Sequence, residues 1–331
     1  MELHDFLIPS SDDILYANIL GHIKIAIVRE VTNPLVIKND ESGLTITKIN
    51  EDIHLEIPAR KFKAKEKLTG ITLLRRLSKQ SPRDLIDKGY RYNAVEKNTM
   101  LRNINSLLFG DSCIKEGNVC LKSRAIYDWG YSLRSIKEIS QTLQHNALSE
   151  TGTMLEDLES IKQRQSLFMT EYITPPVYFV TFITCFNINE IMLQHLLYCI
   201  SFTYQYGGQS TVSLCNLRNH IIAVCYGLTE QPINSFVLAS DKKFLFDEVG
   251  TLNMDNLKSA VLNRLKTHYE KYPNHGIIYG DDLAKLLEKY CNELYTGIVL
   301  EKYLSVNLER LFSKKEGRKK GNKKGETDDK G

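Results

Sequence analysis

From residue 23 the chain alternates Ile23, Ile25 and Ile27 with Lys24, Ala26 and Val28, a period of two that predicts a strand with one face buried and Arg29 leaving its end. Residues 44–57 repeat that period twice around Asn50, Glu51 and Asp52, which predicts a hairpin. The spacing then turns helical: Leu68, Ile71, Leu74 and Leu77 share one face of a helix expected over 64–79, with Arg75 and Arg76 near its C-terminal end. Further on, Leu107, Leu108 and Phe109 anchor a helix end closed by Gly110, and Ala125, Ile126 and Tyr127 resume as a strand after a polar loop. The strongest pattern spans 177–228. It holds the β-rich run VYFVTFITCF, a helix capped by Asn189 and running through Thr203, and a second apolar strand at 220–226. Residues 254–269, 281–294 and 299–312 all carry helical spacing.

A strand, helix, strand unit over 177–228, with 23–29 and 125–128 supplying the other half, predicts an α+β fold. Its core is an RRM- or ferredoxin-like antiparallel sheet, elaborated by insertions and a helical C-terminal extension. With 331 residues, 42% of them apolar, the chain can bury a core of that size. No secretory signal is expected, since residues 1–13 carry Glu2, Asp5, Asp12 and Asp13 and no long apolar run. The most apolar stretch, 177–202, is broken by Asn187, Asn189, Glu190, Gln194 and His195, so no bilayer span and a cytoplasmic location are expected. Seven cysteines without a C-x-x-C pair point to reduced thiols. Cys113, Cys120 and His145 fall short of the four ligands a structural zinc needs, so no metal is expected.

The net charge of +3 conceals its distribution. Residues 58–83 hold nine Lys or Arg against Glu66 alone, a local +8, and the tail 313–331 holds eight cations against four acids, which leaves the remaining residues at −9. Cations gathered in two places suggest a polyanion partner. Among them are Arg60 and Lys61, Lys63 and Lys65, the last three sharing one face if the segment is extended and then able to track successive phosphates. Lys122 and Arg124 alternate with Ser123, which puts both cations on one side of a strand. Gly207 and Gly208, after Tyr204 and Tyr206, suggest a loop whose amides approach a phosphate, with Gln209 as a neutral donor and the tyrosines for stacking. Arg218 and His220 open the last core strand and can face the same groove. Solvated surface cations, a helix cap for the glycines and an ordinary strand-end histidine are the alternative readings. No Walker loop, nucleophile motif or carboxylate cluster appears, so neither a cofactor nor a catalytic site is expected; Asp40 and Asp52 are isolated carboxylates in turns.

Four stretches in order, IKIAIVREVTNPLV from Ile23, SLLFGDSCIKEGNVCLKSRAIYDWGY from Ser106, ETGTMLEDLESIKQRQSLFMTEYITPPV from Glu150 and YQYGGQST from Tyr204, resemble the RAMP superfamily of CRISPR proteins. Within it the chain is similar to the Cas-seven-like backbone subunits of Cascade and, with its long helical C-terminal extension, to those of type I-D. The resemblance implies a non-catalytic subunit that polymerises along crRNA and helps pair it with a foreign strand, DNA or RNA, beside a large subunit and a repeat-end subunit, with no membrane. It divides the chain into an RNA-binding palm over 1–228, with a basic lid-like insertion near 39–83 and a thumb near 134–176, a helical extension over 229–312 and a disordered basic tail over 313–331. Palm contacts would come from Arg29, Lys122, Ser123, Arg124 and the Gly207 loop, and thumb contacts from Met154, Leu155, Leu167 and Phe168. The alternative in the same superfamily is a nuclease. It would be either a ruler-type cutter using Asp40 or Asp52, or a guide-processing enzyme with a histidine near the first core helix, and residues 55–144 contain no histidine.

Overall fold

The computed structural model describes residues 1–9, 21–37, 44–146, 155–157, 162–163, 167–208, 214–295, 298–306 and 308. In chain order β1 is His22–Val31, β2 Ile46–Ile49, β3 Asp52–Ile57, α1 Ala59–Ser78, α2 Ile104–Phe109, β4 Asp111–Cys113, β5 Val119–Leu121, β6 Ala125–Tyr127 and β7 Gly130–Ser135. There follow α3 Ile136–Ile139, β8 Ser140–Asn146, β9 Leu155–Asp157, β10 Lys162–Gln163, β11 Leu167–Ile173, β12 Val177–Cys185, α4 Glu190–Ser201 and β13 Leu217–Gly227. The C-terminal part holds α5 Ser235–Ser240, α6 Met254–Tyr269, β14 His275–Tyr279, α7 Gly280–Tyr295 and α8 Ile298–Ser305.

The main sheet runs β14, β13, β1, β12, β7, β3, β2, with β6 also paired to β12, and every pairing in it is antiparallel. The strand, helix, strand unit expected at 177–228 is β12, α4 and β13, whose two strands flank β1. Asn189 caps α4 as its sequence position suggests, its side chain accepting from the Met192 amide at 2.9 Å. The hairpin expected around Asn50 is β2 and β3, with Asn50 at a φ of 55°.

Both faces of this sheet are covered. On one, Ile23, Ile25, Ile27 and Val31 pack with Phe62 and Leu74 of α1, Leu108 of α2 and Leu196 of α4. On the other, Ala26, Val28, Val180 and Phe182 pack with Leu238 of α5 and Leu257, Val261 and Leu265 of α6. The expectation of one buried face for β1 is therefore corrected. Its polar positions lie inside too: Lys24 gives its ammonium to the Gln231 and Ile233 carbonyls and to Glu230, all within 3.2 Å. A strand buried on both faces reads as a continuous apolar run, which is what β12 shows.

One further expectation changes. The basic segment 58–83, read as part of a lid-like insertion, is a core helix: α1 begins at Ala59 and buries Phe62, Glu66, Ile71 and Leu74. It lies so close to its neighbours that a Cβ on Gly70 would stand 2.1 Å from Asn105 Oδ1 and 2.6 Å from His195 Nε2. In the C-terminal extension the helices expected at 254–269 and 281–294 are α6 and α7, and between them β14 pairs with β13 at one end of the sheet. Cys113 and Cys120 sit in the β4–β5 pair, one buried and one exposed, and all seven cysteines are free thiols. Among the described residues no helix is long and apolar enough to cross a membrane.

Candidate nucleic-acid interface

The sequence places Arg29 at a strand end facing solvent, and the structure does not. Its side chain is 0% exposed, under α1 and the loop after α4. Nη1 donates to Glu66 Oε1 at 2.7 Å, to Asn219 Oδ1 at 2.8 Å and to the Tyr206 hydroxyl at 3.2 Å, and Nε donates to Thr181 Oγ1 at 2.8 Å. The guanidinium stacks 4.2 Å above the Phe62 ring. Glu66 also accepts from the hydroxyls of Tyr127 at 2.6 Å and Tyr206 at 2.9 Å. Burial opposes the charge on Arg29, and the Glu66 carboxylate outweighs it and raises the guanidinium. Arg29 and Tyr206 are thus corrected as direct contacts. They form a buried joint between β1, α1, β6 and the 203–208 loop.

Around that joint the stretch from Leu107 to Tyr127 closes as its composition suggests. Gly110 has a φ of 77°, and a Cβ there would stand 2.9 Å from both the Leu121 carbonyl and the Ser123 amide. Arg124, expected to grip phosphate beside Lys122, turns inward: Nε donates to the Asn187 carbonyl at 3.1 Å and Nη1 to the Leu107 carbonyl at 2.9 Å. It satisfies the C-terminal end of α2, and burial pulls its guanidinium down to about 10. Ser123 Oγ donates to the Ala125 carbonyl at 2.6 Å. Neither Lys122 nor Arg124 lies within a strand, so strand alternation does not place them; Lys122 alone of the three is exposed. Arg124→Ala is expected to leave two partly buried carbonyls unpaired and cost about 1–3 kcal/mol, while Lys122→Ala leaves stability within about 0.5 kcal/mol. Denaturant midpoints of the two variants check this.

The cations of α1 are distributed by helical geometry, since the segment is not extended. Lys61 and Lys65 share one stripe and Lys63 and Lys67 another, because neighbours on a helix lie four residues apart. Lys67 is held by the Gly110 carbonyl at 2.9 Å and by Asp111 at 3.1 Å. Arg60, Arg75, Arg76 and Lys79 are exposed and Lys61 and Lys65 half-buried, whereas Glu66, the one acid of 58–83, points into the core. The outer surface of α1 therefore carries cations with no acid among them.

Two loops border this surface. On one side lies the Gly110–Arg124 segment. On the other, Thr69 Oγ1 shares a hydrogen bond of 2.7 Å with Thr203 Oγ1, which docks the 203–208 loop. In that loop Gly207 has a φ of 75°, and a Cβ there would meet the Val36 carbonyl at 2.1 Å. The Gly208 amide donates to the same Val36 carbonyl at 2.9 Å, so it is not spare for a phosphate. Thr32 Oγ1 and Asn33 Nδ2 donate to the Cys215 and Leu214 carbonyls at 2.7 and 3.0 Å, clamping the turn after β1 to the far side of the loop. Leu35 bridges Ile173 at the base of the β8–β11 hairpin. Of the two tyrosines, Tyr206 is buried and Tyr204 is 43% exposed, which leaves Tyr204 as the one able to stack on a base.

Arg218 is exposed at the start of β13, and His220 Nε2 meets Glu30 Oε2 at 2.9 Å, which engages it within the protein. Gln209, Asp40, Met154 and the tail 313–331 lie outside the described residues, and of Leu155, Leu167 and Phe168 only the strand placement is described. Asp52 is exposed at the start of β3 opposite Ile49. Among the described residues no three His, Cys, Asp or Glu side chains gather where a metal could sit. What the arrangement offers chemically is a cationic ridge about 30 Å long, from 20 helical residues, between two backbone-rich loops.

The family model described as Csc2 Crispr matches residues 22–303. No curated protein sequence matches the chain. The crystal structure of Csc2 from Thermofilum pendens is similar with a TM-score of 0.61, at 15% identity over 95% of each chain, a likeness of fold. Chains of two structures titled as CRISPR RNA-guided surveillance complexes, one of them pre-nicking, align at TM-scores of 0.49 and 0.44. Their identities are 8% and 9%, over 78% of this chain and 90% and 88% of theirs.

Proposed function

The chain belongs to the Csc2 CRISPR family, and from that membership we propose that it is the crRNA-binding backbone subunit of a type I-D interference complex. The observation that carries the reading is the segregation of charge on α1, where Arg60, Arg76 and Lys79 are exposed and the single acid, Glu66, pairs with the buried Arg29. Phosphates of a single strand would lie along Lys61, Lys65 and Lys122, with Tyr204 beneath a base. Contacts of this kind fix position without reading sequence. The β8–β11 hairpin would act as the thumb between guide and target, and copies of the chain would stack along one guide beside other Cascade subunits, in the cytoplasm.

Purification of the expressed protein tests this. The expected product is an assembly of several copies carrying RNA of uniform length. A nucleic-acid-free monomer that fails to bind crRNA at low salt refutes it.

A further inference from the structure

Helix α8 has eight residues, fewer than the about 12–15 a helix needs to persist unaided in water, so its packing holds it. Tyr303 is its one buried residue among those described, 2% exposed. Beside it a cavity of about 550 Å³, lined by Arg83, Leu85, Arg102 and the Leu304–Val306 turn, leaves that end of α8 incompletely packed and puts more of its docking on Tyr303. The Tyr303 ring ends at His195 of α4. His195 has no exposed surface, and both ring nitrogens are engaged: Nδ1 lies 2.6 Å from the Tyr303 hydroxyl and Nε2 2.9 Å from Asn105 Oδ1. The direction of these bonds is set from the α1 end. Asn105 Nδ2 donates to the Lys67 carbonyl at 3.2 Å, which turns the amide oxygen toward Nε2. Nε2 therefore carries the proton, and burial pulls the imidazole down to about 3 and keeps it neutral. Nδ1 is left as an acceptor, which the Tyr303 hydroxyl fills as donor. The relay ends at Gly70 of α1, where a Cβ would run into both Asn105 and His195.

We propose that Tyr303 is a positioning residue for RNA binding, which holds α1 in place through His195 and Asn105 and so couples the docking of α8 to the cationic surface. The inference rests on the RNA-binding reading above and goes beyond it, since α8 supplies none of the residues of that surface. Without the hydroxyl, Nδ1 is a buried acceptor with no partner. The ring can turn toward a new one only by moving Asn105 and the Lys67–Gly70 turn, because Gly70 leaves no room for even a Cβ between them. That turn sets the roll of α1, and the roll sets where Lys61 and Lys65 point. Coupling of this kind is reciprocal, so RNA on α1 tightens the docking of α8 as much as Tyr303 tightens the binding of RNA. A second tie of α8 runs from Lys302 to Glu293 at 2.8 Å and on to Gln194 at 3.0 Å, and it ends on α4.

The test compares the wild type, Tyr303→Phe and Lys302→Met as full chains. It uses equilibrium binding of labelled single-stranded RNA at low salt, hydrogen exchange of the α8 amides with and without that RNA, and nitrogen NMR of the His195 ring. In the wild type the Nε2–H tautomer is expected, and RNA slows exchange across α8. Tyr303→Phe, which keeps the ring, is expected to bind RNA about fivefold more weakly and to lose the RNA-dependent slowing. Lys302→Met exchanges faster in α8 yet keeps wild-type affinity and the slowing, as a defect confined to the helix would. Unchanged affinity in Tyr303→Phe, an Nδ1–H tautomer in the wild type, or an equal loss of affinity in Lys302→Met overturns the coupling and leaves the RNA reading intact. A wild type that binds no RNA at low salt overturns both.

Discussion

Replacing Glu66 with glutamine is expected to lower stability by about 3–5 kcal/mol, the largest effect of any single substitution in the interface, because it strands a buried cation. Arg29 has no exposed surface, and among the described residues Glu66 is the one carboxylate paired with it. Glutamine keeps the shape and an oxygen facing Nη1, so the loss isolates charge from packing. The double variant Arg29→Met/Glu66→Leu is expected to recover part of the loss. Recovery is partial because the hydroxyls of Tyr127 and Tyr206 and the Asn219 carboxamide lose partners they now share with the pair. Chemical denaturation of the three proteins measures this, and a cost below about 1 kcal/mol for Glu66→Gln would mean that the pair is solvated rather than buried. The consequence reaches the surface, since Arg29 and Glu66 join the helix carrying the cations to the loop carrying Tyr204.

The second large effect concerns binding. The triple variant Lys61→Ala/Lys65→Ala/Lys122→Ala is expected to lose about a hundredfold in affinity for single-stranded RNA of any sequence, at roughly 1 kcal/mol for each phosphate contact removed. Its melting should stay near that of the wild type, since these three side chains contribute little to the core. Equilibrium binding at one fixed salt concentration, with two unrelated RNA sequences, decides between this and a fold defect. A drop confined to one sequence would indicate base readout instead.

Much of the core was legible because its signals are local. The run from Val177 to Cys185, the Asn189 cap and the Leu107 to Gly110 helix end each announce themselves within a few residues. The interface was less legible, and the reason is distance along the chain. Arg29 reads as a strand-end cation because the groups that bury it, Glu66, Thr181, Tyr206 and Asn219, lie 37 to 190 residues away. The lysines at 61, 63 and 65 alternate as a strand would, but Phe62, Glu66 and Ile71 on the inward side set a helical period that a basic composition hides. Arg124 shows that a basic residue in a recognisable stretch can serve a helix end. Five residues, His275 to Tyr279, were too few and too weakly apolar to separate from the helices around them.

On the function we propose, nucleic acid lies on the outer surface of α1, between the Gly110 and Gly207 loops. Photocrosslinking of 4-thiouridine-labelled guide RNA to the intact assembly, followed by mass spectrometry of the adducted peptides, tests it most directly. Adducts are expected at Tyr204 and in the peptides covering residues 59–79 and 110–124. Adducts confined to the opposite face of the sheet, on α5 and α6, would contradict it.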